Sequence, residues 1–164
     1  MPAYLDLIAD GTPGNRCDVT PIFADAQAFA ALVDDLVALA ADHPHDVVAG
    51  LDALGFVLGA AIATRTGKGF LTIRKGGKLP VAVDRREFVD YTGERKSLEL
   101  RLDAFAPGTR VLLVDEWVET GAQISTAAAL IEAQGGVVAA VACINCDAQA
   151  IRARYPVLAV MERD

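Results

Sequence analysis

Apolar residues recur along this chain with two different spacings, which predict alternating strands and helices. Short runs of consecutive aliphatic residues are typical of strands buried on both faces of a parallel sheet. Such strands are predicted at 47–51, 70–73, 111–114, 137–144 and 157–160. Between them, apolar residues three and four positions apart predict helices at 25–41, 54–66, 124–134 and 148–154. Asp25 is the expected N-cap of the first helix, and Gly135-Gly136 the expected end of the third.

This order of elements predicts one α/β domain over residues 1–164. Strands separated by helical crossovers form a parallel sheet with right-handed connections and helices on both faces. A length of 164 residues and 53% hydrophobic composition are sufficient for a substantial core. The charged segment at about 76–101 has only weak alternation, which predicts a hairpin or a flexible flap over a site.

Composition narrows the choice of ligand. A net charge of −7 argues against a nucleic-acid surface, which would normally be basic, and favours a small-molecule ligand. We found neither a secretory signal pattern at the start of the sequence nor an apolar stretch of about 20 residues. These features predict a cytoplasmic protein without membrane association.

Three cysteines are too few for a disulfide framework, although the spacing of Cys143 and Cys146 is also found in redox and metal sites. Both residues follow an aliphatic run, so they belong to a strand and not to a helix N-terminus, where a thiolate is stabilised. A zinc site would need two more ligands, and His43 and His45 lie in a polar connection. We therefore predict reduced structural thiols.

The richest segment for function follows the strand at 111–114. Asp115 and Glu116 end that strand, and ligands of open α/β sheets bind in the crevice at the carboxyl ends of strands. Small residues at 120–122 then lead into a helix, whose N-terminal N–H groups and dipole favour an anion. The segment predicts a ribose-phosphate site. The alternative is that the two acids merely end a buried strand.

This segment resembles the phosphoribosyl diphosphate (PRPP) loop of type I phosphoribosyltransferases. That loop has four aliphatic residues, two acids, two apolar residues, a variable position and then Thr-Gly-Gly-Thr. Thr120 and Gly121 match the pattern, whereas Ala122 and Gln123 do not, and Glu119 stands where the family usually has a small neutral residue.

Other segments resemble the adenine phosphoribosyltransferases within that family. Residues 69–80, GFLTIRKGGKLP, give the most specific match, and 47–63 resemble the strand, pyrophosphate loop and helix. Asp18 to Ile22 are similar to the family's Arg-Asp-Ile-Thr-Pro segment. Asp90-Tyr91, with Gly93 and 98–100, can be aligned with the flexible catalytic loop.

The resemblance implies a role for each matching residue. Asp115 and Glu116 would hold the ribose hydroxyls of PRPP, and the turn after them would hold its 5′-phosphate. Asp90 would be the loop acid that assists protonation of the base, with Tyr91 closing over the site. The implied PRPP-binding turn is Glu119, Thr120, Gly121, Ala122 and Gln123, and the implied pyrophosphate and base contacts are Asp52, Ala53, Leu54, Arg74, Lys75 and Lys78. For the three cations, the alternative is a solvated basic turn.

The resemblance also implies Mg²⁺ as cofactor, PRPP and a purine base as substrates, and a homodimer. Several residues depart from the family pattern. Leu54 replaces an arginine of the pyrophosphate loop, Cys17 replaces an arginine near the base, and Asp90 is shorter than the usual glutamate. Glu119 would repel a phosphate, so either its side chain points away or the natural ligand differs from PRPP.

Three functions are therefore compatible with the sequence. The first is an adenine-like purine phosphoribosyltransferase, which transfers ribose 5-phosphate from PRPP to a base and releases pyrophosphate. The second is a non-catalytic or regulatory binder of PRPP or a nucleotide on the same fold. The third is a transferase for an unusual base or sugar donor, which the clustered departures at Glu119, Ala122 and Gln123 favour.

Overall fold

A computed structural model of the protein describes residues 2–9, 17–90 and 92–161. The helices are a 3₁₀ turn at Ala3–Leu7, α1 (Thr20–Ala24), α2 (Ala26–Ala40), α3 (Leu54–Thr66), α4 (Ala122–Ala133) and α5 (Gln149–Arg154). The strands are β1 (Val47–Leu51), β2 (Gly69–Lys75), β3 (Val83–Val89), β4 (Arg95–Arg101), β5 (Arg110–Val114), β6 (Trp117–Val118), β7 (Val137–Cys143), β8 (Asn145–Cys146) and β9 (Val157–Ala159).

Seven strands form one sheet in the order β3-β4-β2-β1-β5-β7-β9. Four neighbouring pairs in this order are parallel, namely β2 with β1, β1 with β5, β5 with β7 and β7 with β9. They confirm the predicted parallel sheet. β3 and β4 form an antiparallel hairpin, and β4 adds to the edge of β2 in the antiparallel sense. The segment predicted as a hairpin or flap thus includes this hairpin, and its flexibility stays a prediction. β6 and β8 make a separate parallel pair beside the sheet.

The sheet has an apolar cluster on each face, as expected for a doubly covered α/β sheet. Leu36 of α2 and Leu58 of α3 pack in one cluster with Leu112 of β5. Ile131 of α4 packs in the other cluster with Leu113 of the same strand. Neighbouring residues of β5 therefore point to opposite faces, and both faces are buried, which explains the continuous aliphatic run.

The structure corrects some predicted bounds. α4 begins at Ala122 and not near Ile124, because Gly121 has a left-handed backbone (φ 80°) and serves as N-cap. β2 extends to Lys75, since β4 supplies it with an additional hydrogen-bonding partner. The short helix α1 and the pair of β6 with β8 were not predicted.

The predicted cap of α2 is confirmed. The Asp25 carboxylate accepts hydrogen bonds from the N–H groups of Gln27 and Ala28, at 2.9 and 2.8 Å. Among the described residues, no helix combines the length and the hydrophobicity that crossing a bilayer requires.

Candidate active site

The acid pair lies where the sequence predicts it, at the carboxyl end of the central strand β5. Asp115 is buried, with 3% of its surface exposed, and Glu116 is half-buried. The Asp115 N–H donates to the carbonyl of Ala142, at 3.2 Å, and the Glu116 carbonyl accepts from Ile144, at 3.0 Å. Because β5 and the residues after β7 both hold this backbone, the two carboxylates have a rigid support.

Burial and the neighbouring Glu116 side chain make Asp115 harder to ionise. Burial raises the pKa of Asp115 well above its ordinary range, and the neighbouring Glu116 carboxylate raises it further. Two adjacent carboxylates in a water-poor site cannot both ionise easily, so the pair favours a ligand that supplies hydroxyl donors or positive charge.

The loop after β1 packs directly against the acid pair. A Cβ atom on Gly55 would lie 2.6 Å from the Val114 carbonyl oxygen and 3.3 Å from Asp115 Oδ1. Only glycine therefore permits the start of α3 to approach the end of β5 so closely. The preceding loop residues, Asp52 and Ala53, are joined by a cis peptide bond.

The turn before α4 places the N-terminus of a 12-residue helix at the same edge of the sheet. The Ala122 N–H donates to Thr120 Oγ1 at 3.3 Å. A Cβ atom on Gly121 would lie 2.6 Å from Ile151 Cγ1, so neither its backbone nor its surroundings suit another residue. The first N–H groups of a helix have no intrahelical acceptor and can bind an anion.

These parts enclose a cavity of about 120 Å³. Nine of the residues predicted for the site line it together: Lys75, Asp90, Asp115, Glu116, Glu119, Thr120, Gly121, Ala122 and Gln123. The cavity therefore combines carboxylates, a helix N-terminus and a cation in one place. Tyr91, also predicted for the site, lies outside the described residues.

Five predicted residues, all within the described chain, do not line this cavity: Asp52, Ala53, Leu54, Arg74 and Lys78. Some of them contact one another beside it. The Asp52 carboxylate lies 3.8 Å from Arg74 Nε and accepts a hydrogen bond of 3.4 Å from the Lys75 N–H. Arg74 also donates to the Lys78 carbonyl, at 3.5 Å. The β1–α3 loop and the basic segment at 74–78, where β2 ends, are therefore one connected unit next to the cavity.

The hairpin supplies an ionised carboxylate to the cavity wall. Asp90 forms an ion pair with Lys96 and accepts hydrogen bonds from the N–H and Oγ1 of Thr92, at 2.8 and 2.6 Å. The Lys96 contact, followed by those of Thr92, holds the pKa of Asp90 well below its ordinary range. In this arrangement Asp90 can accept a hydrogen bond from a ligand but has no proton to donate.

Sequence reasoning missed five further residues that line the cavity: Phe88, Lys96, Trp117, Val118 and Ile124. Phe88 and Lys96 are direct partners in the β3–β4 pair, so their side chains share one face. A turn at Thr92-Gly93 is the sequence signal for this hairpin, but the geometry of the turn, which only the structure shows, fixes the register that places Lys96 beside Asp90. Trp117 donates from Nε1 to Asp147 Oδ2 at 3.2 Å.

The two thiols of the CxxC segment lie in the core next to this site. Cys143 ends β7 and Cys146 lies in β8, both buried. Contact with Cys143 lowers the pKa of Cys146 to about 7, while the same contact and burial raise the pKa of Cys143. Across the described residues, no group of three or more His, Cys, Asp or Glu side chains could hold a metal ion.

Comparison with known proteins relates the chain to the adenine phosphoribosyltransferases. No protein-family model matches it. It is 45% identical over 129 residues to adenine phosphoribosyltransferase of Chlorobium phaeovibrioides, covering 77% of this chain and 72% of the relative. It is 42% identical over 161 residues to the enzyme of the same name from Nocardia farcinica, covering 92% and 80%. The crystal structure of adenine phosphoribosyltransferase from Thermoanaerobacter pseudethanolicus superposes with a TM-score of 0.87 at 31% identity, covering 96% of each chain.

Proposed function

The chain belongs to the adenine phosphoribosyltransferase family, and we propose that it transfers ribose 5-phosphate from PRPP to adenine and releases pyrophosphate. The observation that carries the proposal is the composition of the cavity. Asp115 and Glu116 line the cavity together with the N-terminus of α4, which Gly121 caps, and Lys75 lines the same space. A sugar with phosphates at both ends needs this combination of carboxylates and anion-binding groups.

The acid pair binds the ribose in this mechanism. As pyrophosphate leaves, positive charge develops on the ribose ring, and nearby carboxylates stabilise that charge more strongly than they stabilise the substrate. Asp115 and Glu116 accept hydrogen bonds from the ribose hydroxyls. Because Asp115 is buried, the sugar hydroxyls replace the water that an exposed carboxylate would otherwise bind.

The 5′-phosphate binds the turn before α4. Backbone N–H groups at the start of α4 donate to the phosphate oxygens, and the helix dipole adds a favourable interaction. Glu119 opposes this binding, because two unit charges 4 Å apart repel by about 1 kcal/mol in bulk water and by more where water is excluded. We therefore expect weaker binding of PRPP than a neutral residue at 119 would allow.

The leaving pyrophosphate lies next to the basic segment at 74–78, where β2 ends. Lys75 faces the cavity, and Arg74 lies behind it in contact with Asp52. With Lys78, these cations compensate the negative charge that accumulates on pyrophosphate. Leu54 stands at the arginine position of the related pyrophosphate loops and carries no charge. Lys75 therefore supplies a larger share of the positive charge that stabilises pyrophosphate.

The base binds under the hairpin. Asp90 lines the cavity as an ionised carboxylate, and it orients the base by accepting a hydrogen bond from one of its N–H groups. A general-acid role for Asp90, which the family resemblance implies, requires the Lys96 contact to break first. Phe88 provides an apolar surface on the same wall of the cavity.

Mg²⁺ fits this site as part of the donor complex. Magnesium retains most of its water and is usually held by one or two carboxylates together with substrate phosphates, so the pair Asp115 and Glu116 is sufficient. Held there, the ion would supply positive charge that offsets the negative charge of the leaving group.

The proposal includes a homodimer that works in the cytoplasm on small molecules. PRPP is a highly charged metabolite that does not cross membranes unaided, and a net charge of −7 opposes nucleic-acid binding. Sedimentation at micromolar concentration tests the dimer, and a monomer alone would contradict it.

A second candidate is a protein that binds PRPP or a nucleotide without turnover. Leu54 and Glu119 favour it, since one removes a cation and the other adds an anion. A third candidate, transfer to an unusual base or from an altered donor, is favoured by Ala122 and Gln123 in the phosphate turn.

One assay distinguishes the three candidates. The purified protein is incubated with PRPP, Mg²⁺ and each of adenine, hypoxanthine, guanine and xanthine, and pyrophosphate and nucleotide are measured. We expect the wild-type protein to release pyrophosphate with adenine, and Asp115→Asn to release none. Binding of PRPP without release for any base would overturn catalysis and support the second candidate, and release with a different base would support the third.

A further inference from the structure

Glu99 is a fully buried carboxylate at the base of the hairpin, with 0% of its surface exposed. It lies in β4 directly opposite Arg74 of β2. A charged group without solvent is unfavourable unless hydrogen bonds replace its hydration. The partners of Glu99 therefore indicate what the residue does.

Those partners are mainly backbone N–H groups of residues 77–79, which belong to the turn at 76–79 after Lys75. Glu99 Oε1 accepts from Lys78 and Leu79, both at 2.6 Å, and Oε2 accepts from Gly77 at 2.8 Å. The Gly76 N–H donates to the carbonyl of Ser97, at 2.9 Å. Four consecutive N–H groups of the 76–79 turn are thus bound to β4.

Arg85 adds a link from the other strand of the hairpin. Its guanidinium donates to Glu99 Oε2 at 3.0 Å. Burial raises the pKa of Glu99, but the hydrogen bonds from the turn and from Arg85 outweigh it and lower the pKa to about 2. Glu99 is therefore ionised at neutral pH and joins β3, β4 and the 76–79 turn.

The turn is also shaped to lie close to β4. A Cβ atom on Gly76 would stand 2.0 Å from Ser97 Oγ, and Gly77 has a left-handed backbone with φ 80°. Two adjacent glycines allow the chain to approach the strand and to direct its N–H groups at one carboxylate.

We propose that Glu99 is a positioning residue for the phosphoribosyl transfer, because it holds the turn that fixes Lys75 in the cavity wall. This inference rests on the proposed function, in which Lys75 binds the pyrophosphate part of the donor. A carboxylate is needed because four donors converge on its two oxygens. Glutamine has one acceptor oxygen, and its NH₂ group would face a donor on the other side.

The test compares ligands that do and do not need the basic segment. Dissociation constants for PRPP, pyrophosphate and ribose 5-phosphate are measured with Mg²⁺ for wild type and Glu99→Gln, below the unfolding temperature. Displacement of a binding group by about 1 Å can cost up to 10²-fold. We expect roughly tenfold weaker binding of PRPP and pyrophosphate, with ribose 5-phosphate changed less than twofold.

A second measurement reports the positioning without any ligand. Amide hydrogen exchange at Gly77, Lys78 and Leu79 becomes faster in Glu99→Gln than in wild type. The matched control is Asp46→Asn, which removes a carboxylate that binds the backbone and side chain of Arg110 at the amino end of the central strand β5. We expect this control to lower the melting temperature without a selective loss of affinity for pyrophosphate.

The outcomes separate this role from the proposed function. The positioning role alone is overturned if Glu99→Gln binds pyrophosphate as tightly as wild type does. It is also overturned if the variant loses the same amount of affinity for all three ligands. A wild-type protein that binds ribose 5-phosphate but neither PRPP nor pyrophosphate overturns the proposed function, and this role with it. Unchanged amide exchange in the turn also overturns the role, whatever the protein binds.

Discussion

Asp90 and Lys96 form an ion pair across the hairpin, at the wall of the cavity. Asp90 follows β3 and Lys96 lies in β4, so folding of the hairpin brings them together. The pair lowers the pKa of Asp90, and its carboxylate is ionised at neutral pH. Stability from this pairing is fully present above the ordinary aspartate pKa and is lost as pH falls through the lowered value.

Replacing Lys96 tests whether catalysis uses this ionised carboxylate. In Lys96→Met the pKa of Asp90 rises toward its ordinary value of about 4. We expect the acid limb of the profile of kcat/KM against pH to move to higher pH, because Asp90 is then protonated more easily. Lys96→Arg keeps the cation and should keep the profile. Identical profiles for wild type and Lys96→Met would show that the charge of Asp90 is not used.

The variant Asp115→Asn should lose function while keeping or gaining stability. Loss of a carboxyl oxygen that accepts hydrogen bonds from the ribose hydroxyls should weaken binding of ribose 5-phosphate roughly tenfold or more. The folded pKa of Asp115 is raised, so wild type loses stability as pH rises from about 4 through that raised value. The variant lacks this loss.

Thermal unfolding between pH 4 and 8, together with ligand titration, checks this prediction. Asp46→Asn is the control with the opposite sign, because contact with Arg110 lowers the pKa of Asp46 and stabilises the fold at neutral pH. If Asp115→Asn binds ribose 5-phosphate with unchanged affinity, the assignment of the acid pair to the ribose is wrong.

The variant Glu119→Thr tests the charge in the phosphate turn. If the turn binds a 5′-phosphate, removal of a repulsion of about 1 kcal/mol should tighten PRPP binding roughly fivefold. Titration with PRPP, ribose 5-phosphate and ribose measures the effect, and Glu87→Thr, on an exposed carboxylate of β3, is the control. Weaker binding of both phosphorylated ligands in Glu119→Thr would instead favour a turn adapted to another ligand.

The variant Gly121→Ala tests the shape of that turn. Gly121 and Gly108 both have a left-handed backbone, with φ of 80° and 84°, but only a Cβ atom at 121 meets neighbours. Both changes should cost about 1 kcal/mol of the free energy of unfolding from the backbone. Gly121→Ala should cost about 1–3 kcal/mol more from overpacking against Ile151 and Ala148. Equal losses in urea denaturation would contradict this account.

The elements that could be predicted are those specified by neighbours in sequence. The aliphatic run of β5, the Asp25 cap and the helical spacing of α2 and α3 are local patterns, and each predicts its element because local geometry and burial decide it. The acid pair could be placed for the same reason, since a strand of known direction has a known carboxyl end. Gly121 was expected in the turn, but only the structure shows that it is the N-cap of α4, with a left-handed backbone.

The sequence by itself therefore determined the layered α/β architecture, the position of Asp115 and Glu116, and the turn that leads into α4. Only the tertiary structure decided that Lys96 contacts Asp90. It also decided that Glu99 binds a turn 20 to 22 residues away in sequence. These contacts depend on the register of the hairpin and on its docking against β2. The hairpin register depends on the geometry of its turn, which the weak alternation of this segment does not specify. The docking depends on hydrogen bonds between segments that are distant in sequence.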